Sequence, residues 1–350
     1  MKPTINDVAR EANVSRGTVD RVLNHKGSVS KNTEIKVQEV IKRLNYKRSA
    51  VASALAKHKR KIKIGIIFPD VEHFFWKEVN KGIKIAKNSF QSLGVEIIVK
   101  TTKTYNYHDQ IEAFDYMIEN KVNGIVTMSY HQNKTNDKIN DLFKLKIPVV
   151  TFVSDAPDSK RLSYVGLNDY KAGITAAKLM GLFLKEKGNI AIIGVHRDLT
   201  CMVDRVNGFV DKINNEFSQI NIIGTFYITE NREEEEKLYR GSIFELTKKI
   251  LDKYPEIDAI YSTNSLISCI GKVVNDSKLG RKITIIGHEN TEEIKGLMLR
   301  NIIDATVYQN QFEEIIRAIN ILYGYIIEGE LDYSLTGYSE QGILIKEKIE

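Results

Sequence analysis

The 350-residue sequence predicts a small all-α unit at the N-terminus, followed by a larger α/β domain of two lobes. Up to about residue 60, apolar residues recur at the three- and four-residue spacing of short amphipathic helices. From Lys61 onward, short apolar runs alternate with helical stretches, which is typical of parallel sheets covered on both faces. Some 285 residues of this second pattern exceed one typical core, so two lobes are expected.

Charge is distributed unevenly along the chain. The formal net charge is +6, yet residues 1–63 alone hold 16 Lys and Arg against 5 Asp and Glu. The remaining 287 residues carry 35 basic and 40 acidic side chains. A basic front end on a mildly acidic body indicates a phosphate-rich partner that contacts only one end of the molecule.

Composition restricts the class of protein further. The chain is 42% hydrophobic and 27% charged, which excludes disorder. Two cysteines, Cys201 and Cys269, are too few for a disulfide framework. Neither a signal-peptide stretch nor a run of about 18 apolar residues occurs, so we expect a cytoplasmic protein without a membrane span.

The basic N-terminal segment has the pattern of a helix-turn-helix. Thr4 begins a capping-box spacing for a first short helix, and Asn13 suits the tight turn that follows. Ser15 can cap a second helix over residues 16–24, and Ser30 can precede a third. Three amphipathic stripes of this length are enough to close one small core.

The outer face of the second helix carries the residues suited to reading DNA. In a helix-turn-helix, the N-terminal end of this helix enters the major groove. An Arg fork from Arg16 or Arg21 can bind both acceptors of a guanine, and Asp20 can accept from a cytosine amino group or hold Arg21 in place. The alternative is a solvated charged helix face. The side chains suited to phosphate contacts are Thr18, Lys31, Asn32 and Thr33.

Residues 45–56 form an Ala-rich segment with high helix propensity but too little length for a stable isolated helix. We expect this segment to become helical only when something packs on it. Leu55 is then a candidate wedge for a minor-groove base step. The alternative is a plain linker with Leu55 docked on its own protein.

Segment 4–24, TINDVAREANVSRGTVDRVLN, resembles the N-terminal signature of the LacI/GalR family of transcriptional repressors. Val29-Ser30, Leu44-Asn45-Tyr46 and Ala52-x-x-Leu55 continue the resemblance in order and spacing. Asp20 departs from the more usual serine, which implies a different operator half-site. The resemblance implies DNA contacts from Thr4, Ser15, Arg16, Gly17, Thr18, Asp20, Arg21, Asn24, Ser28, Ser30, Thr33, Ala52 and Leu55.

The larger domain should place its ligand at the carboxyl ends of its strands. Aromatic faces suit the apolar side of a sugar, while amide, carboxylate and guanidinium groups suit its hydroxyls. Phe74 or Phe75 is equally suited to a core, and Asn264 equally suited to capping the next helix.

The runs predicted as strands are 62–68, 95–100, 124–128, 148–152, 163–166, 190–194, 220–227, 259–262, 283–287 and 304–308.

This domain resembles the ribose-binding-protein-like sensor domain of the same family. Two departures from the family pattern imply an effector other than ribose: Glu289 replaces the usual Asp, and His288 replaces an aromatic residue. The expected class of effector is a sugar or polyol. The candidate effector-binding residues are Phe74, Phe75, Ser129, Ser154, Asp155, Arg205, Asn264, Glu289 and Gln309.

The resemblance implies three segments. Residues 1–47 form the helix-turn-helix domain, 48–61 the hinge helix or linker, and 62–350 a periplasmic-binding-protein-like (type I) α/β domain for effector binding and dimerisation. One lobe is expected over 62–165 plus 291–325, and the other over 166–290 plus 326–345.

Other classes of protein fit less well. The sequence has no glycine-rich phosphate loop, no nucleophile elbow and no close pair of histidines, so we expect no enzyme, no cofactor and no metal. A free-standing transport protein does not explain the basic front end. A phosphorylated metabolite or a partner protein remains the alternative effector, and would need additional cationic groups in the cleft.

The function expected from the sequence is therefore a cytoplasmic, homodimeric regulator, expected to be a repressor, that binds double-stranded DNA at a palindromic operator. Binding of a small molecule between the lobes would change hinge geometry and so change DNA affinity. The sequence leaves open whether the effector is an inducer or a corepressor.

Overall fold

The computed structural model describes residues 5–23, 29–44, 61–69, 74–103, 105–194, 197, 199–228 and 236–349. The chain divides into two compact units, one within residues 1–60 and the other within residues 61–350. The predicted hinge segment therefore lies outside the described residues, except for Lys61.

The described residues of the first unit form three helices: α1 (Ile5–Glu11), α2 (Arg16–Leu23) and α3 (Lys31–Arg43). The Ser15 hydroxyl accepts a hydrogen bond from the Thr18 backbone N–H at 3.1 Å, and the Ser30 hydroxyl accepts one from the Thr33 N–H at 3.3 Å. Both serines thus satisfy donors that a helix start leaves unpaired. Asn13 makes the turn after α1 with a left-handed φ of 50°. The predicted helix-turn-helix is confirmed.

A core of small side chains holds these helices together. Because most of its members are Val or Ala, the helices approach closely, and the longer polar side chains of α2 remain on the outside. One exposed ion pair, between Arg43 and Glu11 at 2.5 Å, also links α3 to α1. The buried members are Val8, Ala9, Ala12, Val19, Val22, Val37 and Val40.

The second unit is a two-lobed α/β structure. Its strands are β1 (Ile62–Pro69), β2 (Val95–Thr102), β3 (Gly124–Thr127), β4 (Val149–Phe152), β5 (Ser163–Gly166), β6 (Lys187–Gly194), β7 (Gln219–Tyr227), β8 (Ala259–Ser262), β9 (Thr284–His288), β10 (Ala305–Tyr308), β11 (Gly337–Tyr338) and β12 (Gly342–Ile345). Its helices are α4 (Phe74–Gln91), α5 (Tyr107–Glu119), α6 (Gln132–Lys144), α7 (Asp169–Phe183), α8 (Thr200–Glu216), α9 (Glu236–Lys253), α10 (Ile267–Asp276), α11 (Glu292–Leu299) and α12 (Gln311–Glu328). Each predicted strand is present, with ends shifted by up to three residues.

The strands form two sheets, one in each lobe. Lobe 1 has the strand order β11-β5-β4-β3-β1-β2, and every pair in it is parallel. Lobe 2 has the order β12-β10-β9-β8-β6-β7, and only β12 runs antiparallel, against β10. Apolar clusters cover both faces of each sheet, which explains why the strands read as continuous apolar runs.

The predicted lobe boundaries are wrong in two places. Residues 291–308 were assigned to lobe 1, but β10 pairs with β9, and α11 buries Ile294, Leu297 and Met298 in the core of lobe 2. Residues 326–338 were assigned to lobe 2, but α12 packs in the main core of lobe 1 and β11 pairs with β5. Hydrophobic periodicity identifies a strand but does not say which sheet it joins.

The chain consequently crosses between the lobes three times, after β5, after β10 and after β11. Crossings that follow a strand's carboxyl end bring those ends to the boundary between the lobes. No helix in the described part of the chain is both long and apolar enough to cross a membrane.

Candidate functional site

The first candidate site is the outer face of α2. Ser15, Arg16, Gly17 and Arg21 are exposed, and Thr18 is half-buried. The Ser15 and Thr18 hydroxyls are hydrogen-bonded at 2.9 Å, and Arg21 Nε donates to the Gly17 carbonyl at 3.2 Å. The structure thus brings these predicted residues together over the first two turns of one short helix.

Gly17 occupies a position where the protein itself does not require glycine. A Cβ atom built there would meet only the Ser15 hydroxyl, at 3.8 Å. Glycine within a helix costs about 0.5–1 kcal/mol relative to alanine. Packing against the described residues of the first unit therefore does not explain this glycine, whereas close approach of another molecule would.

The remaining predicted DNA contacts are placed only in part. Ser30, Lys31 and Asn32 are exposed at the start of α3, and Thr33 is half-buried there. Asp20 belongs to α2. The predicted contacts that lie outside the described residues are Thr4, Asn24, Ser28, Ala52 and Leu55.

The second candidate site surrounds Arg205, which lies in α8 and is only 2% exposed. Its Nε atom donates to the Asp169 carboxylate at 2.7 Å, and its Nη1 atom donates to the Thr263 carbonyl at 2.9 Å. The same Nη1 atom lies 3.8 Å from Glu289 Oε1. Arg205 therefore connects residues that follow three different strands of the second unit.

Close contact between α7 and α8 fixes this arginine. A Cβ atom on Gly173 would lie 2.1 Å from the Arg205 carbonyl oxygen, and one on Gly208 would lie 2.0 Å from the Tyr170 carbonyl oxygen. Only glycine permits this approach of two helix backbones. Since Asp169 is in the first turn of α7, the approach also brings its carboxylate to the guanidinium.

Glu289 and Gln309 follow the neighbouring strands β9 and β10, and both are buried. The Gln309 side chain lowers the pKa of the Glu289 carboxyl, and its Oε1 atom has no hydrogen-bond partner among the described residues. Glu289 has a left-handed φ of 78°, an uncommon conformation for this residue type. Strained backbone of this kind is concentrated at ligand sites.

Lobe 1 contributes Ser129 and Ser154, which follow β3 and β4 and are fully buried. Their backbones are joined by a 2.9 Å hydrogen bond from the Ser129 N–H to the Ser154 carbonyl. The Ser154 hydroxyl lies beside the Cys201 thiol of lobe 2. The Ser129 hydroxyl has no partner within the described chain.

Three predicted effector contacts have a structural role in the protein. Both oxygens of Asp155 bind Arg161, at 2.5 and 2.6 Å, and one of them also accepts from Thr151. Asn264 Oδ1 accepts from the Leu266 N–H at 3.1 Å and so shapes the turn before α10. Phe75 is buried in the core of lobe 1, edge-to-face with a tryptophan ring. Phe74 is the first residue of α4.

Sequence reasoning missed Asp169, Tyr105 and Glu314. Asp169 and Tyr105 follow strands β5 and β2. The expectation that ligand-binding residues follow the carboxyl ends of strands, here called the strand-end rule, therefore applies to them as it does to the other residues. The Tyr105 hydroxyl accepts from Trp76 Nε1 at 3.0 Å. Glu314 lies inside the first turn of α12, where a charged residue gives no signal of burial, yet it is 2% exposed.

Burial dominates the electrostatics of this second site. It raises the pKa of Asp169 to about 7 against the opposing effect of Arg205, and the pKa of Glu314 to about 8. It also raises the pKa of Glu289. Burial lowers the pKa of His288 well below its usual value, so this ring is neutral, with Nε2 2.9 Å from the Tyr261 hydroxyl.

Among residues with described positions, no set of three or more His, Cys, Asp or Glu side chains is arranged to hold a metal ion.

Together, a helix-turn-helix unit and a two-lobed α/β unit with a buried polar site define a regulator that combines DNA binding with a sensor. Residues 4–49 match the family described as bacterial regulatory proteins, lacI family, and residues 64–330 match the periplasmic binding protein domain. The chain belongs to the LacI family of DNA-binding transcriptional regulators and carries a periplasmic-binding-protein sensor domain.

Comparison with individual proteins agrees with this family. The chain is 36% identical over 154 residues to catabolite control protein A of Priestia megaterium, an alignment that spans 44% of each protein. It is 28% identical over 284 residues to a ribose operon repressor of Halalkalibacterium halodurans, spanning 80% of this chain and 77% of the relative. GanP, a glucose-galactose binding protein from Geobacillus stearothermophilus, superposes with a TM-score of 0.74 at 27% identity, covering 83% of this chain and 99% of GanP.

Proposed function

We propose that this chain is a cytoplasmic repressor that binds a palindromic operator as a homodimer and responds to a sugar or polyol bound between its two lobes. The protein acts by binding and carries out no catalysis. The effector residues are Arg205, Glu289, Gln309, Ser129 and Ser154.

The surface of α2 supports the operator-binding part. Arg16 and Arg21 are exposed on the helix that a helix-turn-helix inserts into the major groove, and Ser15 and Thr18 lie beside them. A single three-helix unit offers too little surface for high specificity, and a twofold dimer matches a palindromic site.

One observation carries the effector-binding part: polar atoms that follow strands of both lobes are buried without a hydrogen-bond partner among the described residues. They are Ser129 Oγ in lobe 1, and Thr263 Oγ1 and Gln309 Oε1 in lobe 2. A buried polar atom without a partner costs about 1–3 kcal/mol. A hydroxyl-rich ligand would satisfy these atoms, and because they belong to both lobes it would favour the closed arrangement.

A phosphorylated effector is less well supported. Arg205 is already bonded to Asp169 and Thr263, and Arg161 to Asp155, so the described arginines of the site are occupied by protein acceptors.

Selection of DNA from a random duplex library by the purified chain tests this function. We expect enrichment of a palindrome, and an affinity that falls by about 0.9 log units per log unit of salt for each phosphate neutralised. A sugar or polyol that raises the melting temperature should then change operator affinity roughly 5- to 150-fold. Enrichment of no sequence, together with a flat salt dependence, would refute the proposal.

A further inference from the structure

Carboxyl groups outnumber cationic groups around Arg205 among the described residues. We call the acidic residues of this region the carboxyl cluster. Each of them changes the pKa of at least one other titratable group in the cluster or beside it, so they lie within electrostatic reach of one another. The members are Asp155, Asp169, Asp204, Glu289 and Glu314. The cations in the same region are Arg161, Arg205 and Arg317.

The arginines do not neutralise this cluster. Arg161 is taken up by Asp155, and Arg205 by Asp169, with Glu289 at the longer distance of 3.8 Å. Arg317 donates to the Ser339 hydroxyl at 2.8 Å and to the Gly337 carbonyl at 3.2 Å, and its charge lowers the pKa of Glu314 without an ion pair to that carboxyl.

Asp204 and Glu314 have no ion pair among the described residues, and they come from opposite lobes. Asp204 is in α8 of lobe 2, and the charge of Asp155 in lobe 1 raises its pKa in addition to the effect of burial. Glu314 is in α12 of lobe 1, and its pKa is raised by burial first and then by the charges of Asp169 and Glu289 in lobe 2. Both Glu314 oxygens are buried without a hydrogen-bond partner among the described residues, so lobe 1 adds an unpaired carboxyl group to those of lobe 2.

Uncharged groups beside the cluster point to a ligand independently of its charge. Gln309 follows β10, beside the strand that Glu289 follows, and Thr263 is the residue whose carbonyl binds Arg205. Both side chains are at least nine-tenths buried, and neither Gln309 Oε1 nor Thr263 Oγ1 has a hydrogen-bond partner among the described residues.

We propose that the effector carries an amine as well as hydroxyls, and is an amino sugar or amino polyol whose ammonium group is held by the carboxyl cluster. An ammonium group donates three hydrogen bonds and accepts none, which suits a set of carboxylates from two lobes. Placed between them, it hydrogen-bonds to carboxyl groups of both lobes at once and so favours closure. This inference rests on the proposed function and specifies its ligand.

Matched ligand sets test the inference with the full-length chain. Each set contains a neutral sugar, its amino derivative and its phosphate, as in D-glucose, D-glucosamine and D-glucose 6-phosphate. The sets cover the aldopentoses and aldohexoses, with polyols and their amino derivatives beside them. We expect the amino member of one set to bind at least about tenfold tighter than its neutral partner, because charge-assisted hydrogen bonds are roughly twice as strong as neutral ones.

Two variants locate the effect. Glu314→Gln and Asp204→Asn should each reduce the preference for the amine over the neutral partner. Glu313→Gln removes a carboxylate from the adjacent, exposed position of α12 and should leave the preference unchanged. Calorimetry near pH 7 in two buffers of different ionisation enthalpy should show proton release on amine binding, since the bound cation lowers the pKa of nearby carboxyl groups.

The outcomes separate the two proposals. A neutral sugar that binds as tightly as its amine overturns the inference and leaves the proposed function intact. A phosphate that binds best overturns the inference and favours the alternative effector class. Failure of every compound in the panel overturns both.

Discussion

The face of α2 and the site around Arg205 use polar side chains in opposite ways. On α2 the polar groups are exposed, and their hydrogen bonds join residues three or four positions apart, as between Ser15 and Thr18. Around Arg205 they are buried, and their partners lie far along the chain, 36 residues away for Asp169 and 58 for Thr263. Replacing an exposed polar side chain on α2 should therefore change binding alone, whereas a substitution at Arg205 should change binding and folding together.

The largest effect is expected for Arg205→Ala. This change leaves the Asp169 carboxylate buried without its partner, and breaking a buried pair in this way costs about 3–5 kcal/mol. Thermal melting of the second unit should shift strongly downward, and the response to effector should be lost. An unchanged melting temperature would show that the buried pair contributes little, and would remove the contrast with α2.

Arg21→Ala should weaken specific operator binding by about 1–3 kcal/mol if the guanidinium reads a base. Its melting temperature should not change, because the side chain is exposed. The matched control is Arg10→Ala, which removes an exposed arginine from α1. Gel-shift titrations on operator and random DNA distinguish the cases, since equal loss on both would make Arg21 a phosphate contact.

Glu314→Gln should stabilise the second unit by about 1–2 kcal/mol at pH 8. The wild-type carboxyl has a folded-state pKa of about 8, raised by burial above its usual value of 4.5. Its contribution to stability is present below pH 4.5 and is lost as the pH rises through 8, whereas glutamine does not titrate. The gap in melting temperature between variant and wild type should therefore widen from pH 5 to pH 8, and a gap independent of pH would contradict this account.

The smallest overall effect is expected for Gly17→Ala. The added methyl group meets no crowded neighbour, so the free energy of unfolding of the first unit should rise by up to about 1 kcal/mol. Operator affinity should fall, because the methyl group lies on the surface that faces DNA in the proposed complex. Unchanged operator binding would show that DNA does not approach Gly17 closely.

The same contrast explains what the sequence predicts and what it does not. The turn at Asn13 and the caps at Ser15 and Ser30 depend on neighbouring residues, so local spacing predicts them. The strand-end rule also found Arg205, Glu289 and Gln309. It did not reveal that Asp155 is occupied by Arg161, or that Glu314 is buried, because both facts depend on residues brought together only by the fold. For the same reason, the lobe boundaries expected from the resemblance place α11 and β10 in lobe 1, whereas the structure places both in lobe 2.

The central claim is that ligand binding between the lobes controls DNA binding by the first unit. The most direct test measures the affinity of the full-length chain for its selected operator, with and without a ligand that raises the melting temperature. The account predicts a change of roughly 5- to 150-fold, which disappears in Arg205→Lys, where the fork is lost and the charge is kept. Equal operator affinity with and without bound ligand would contradict it.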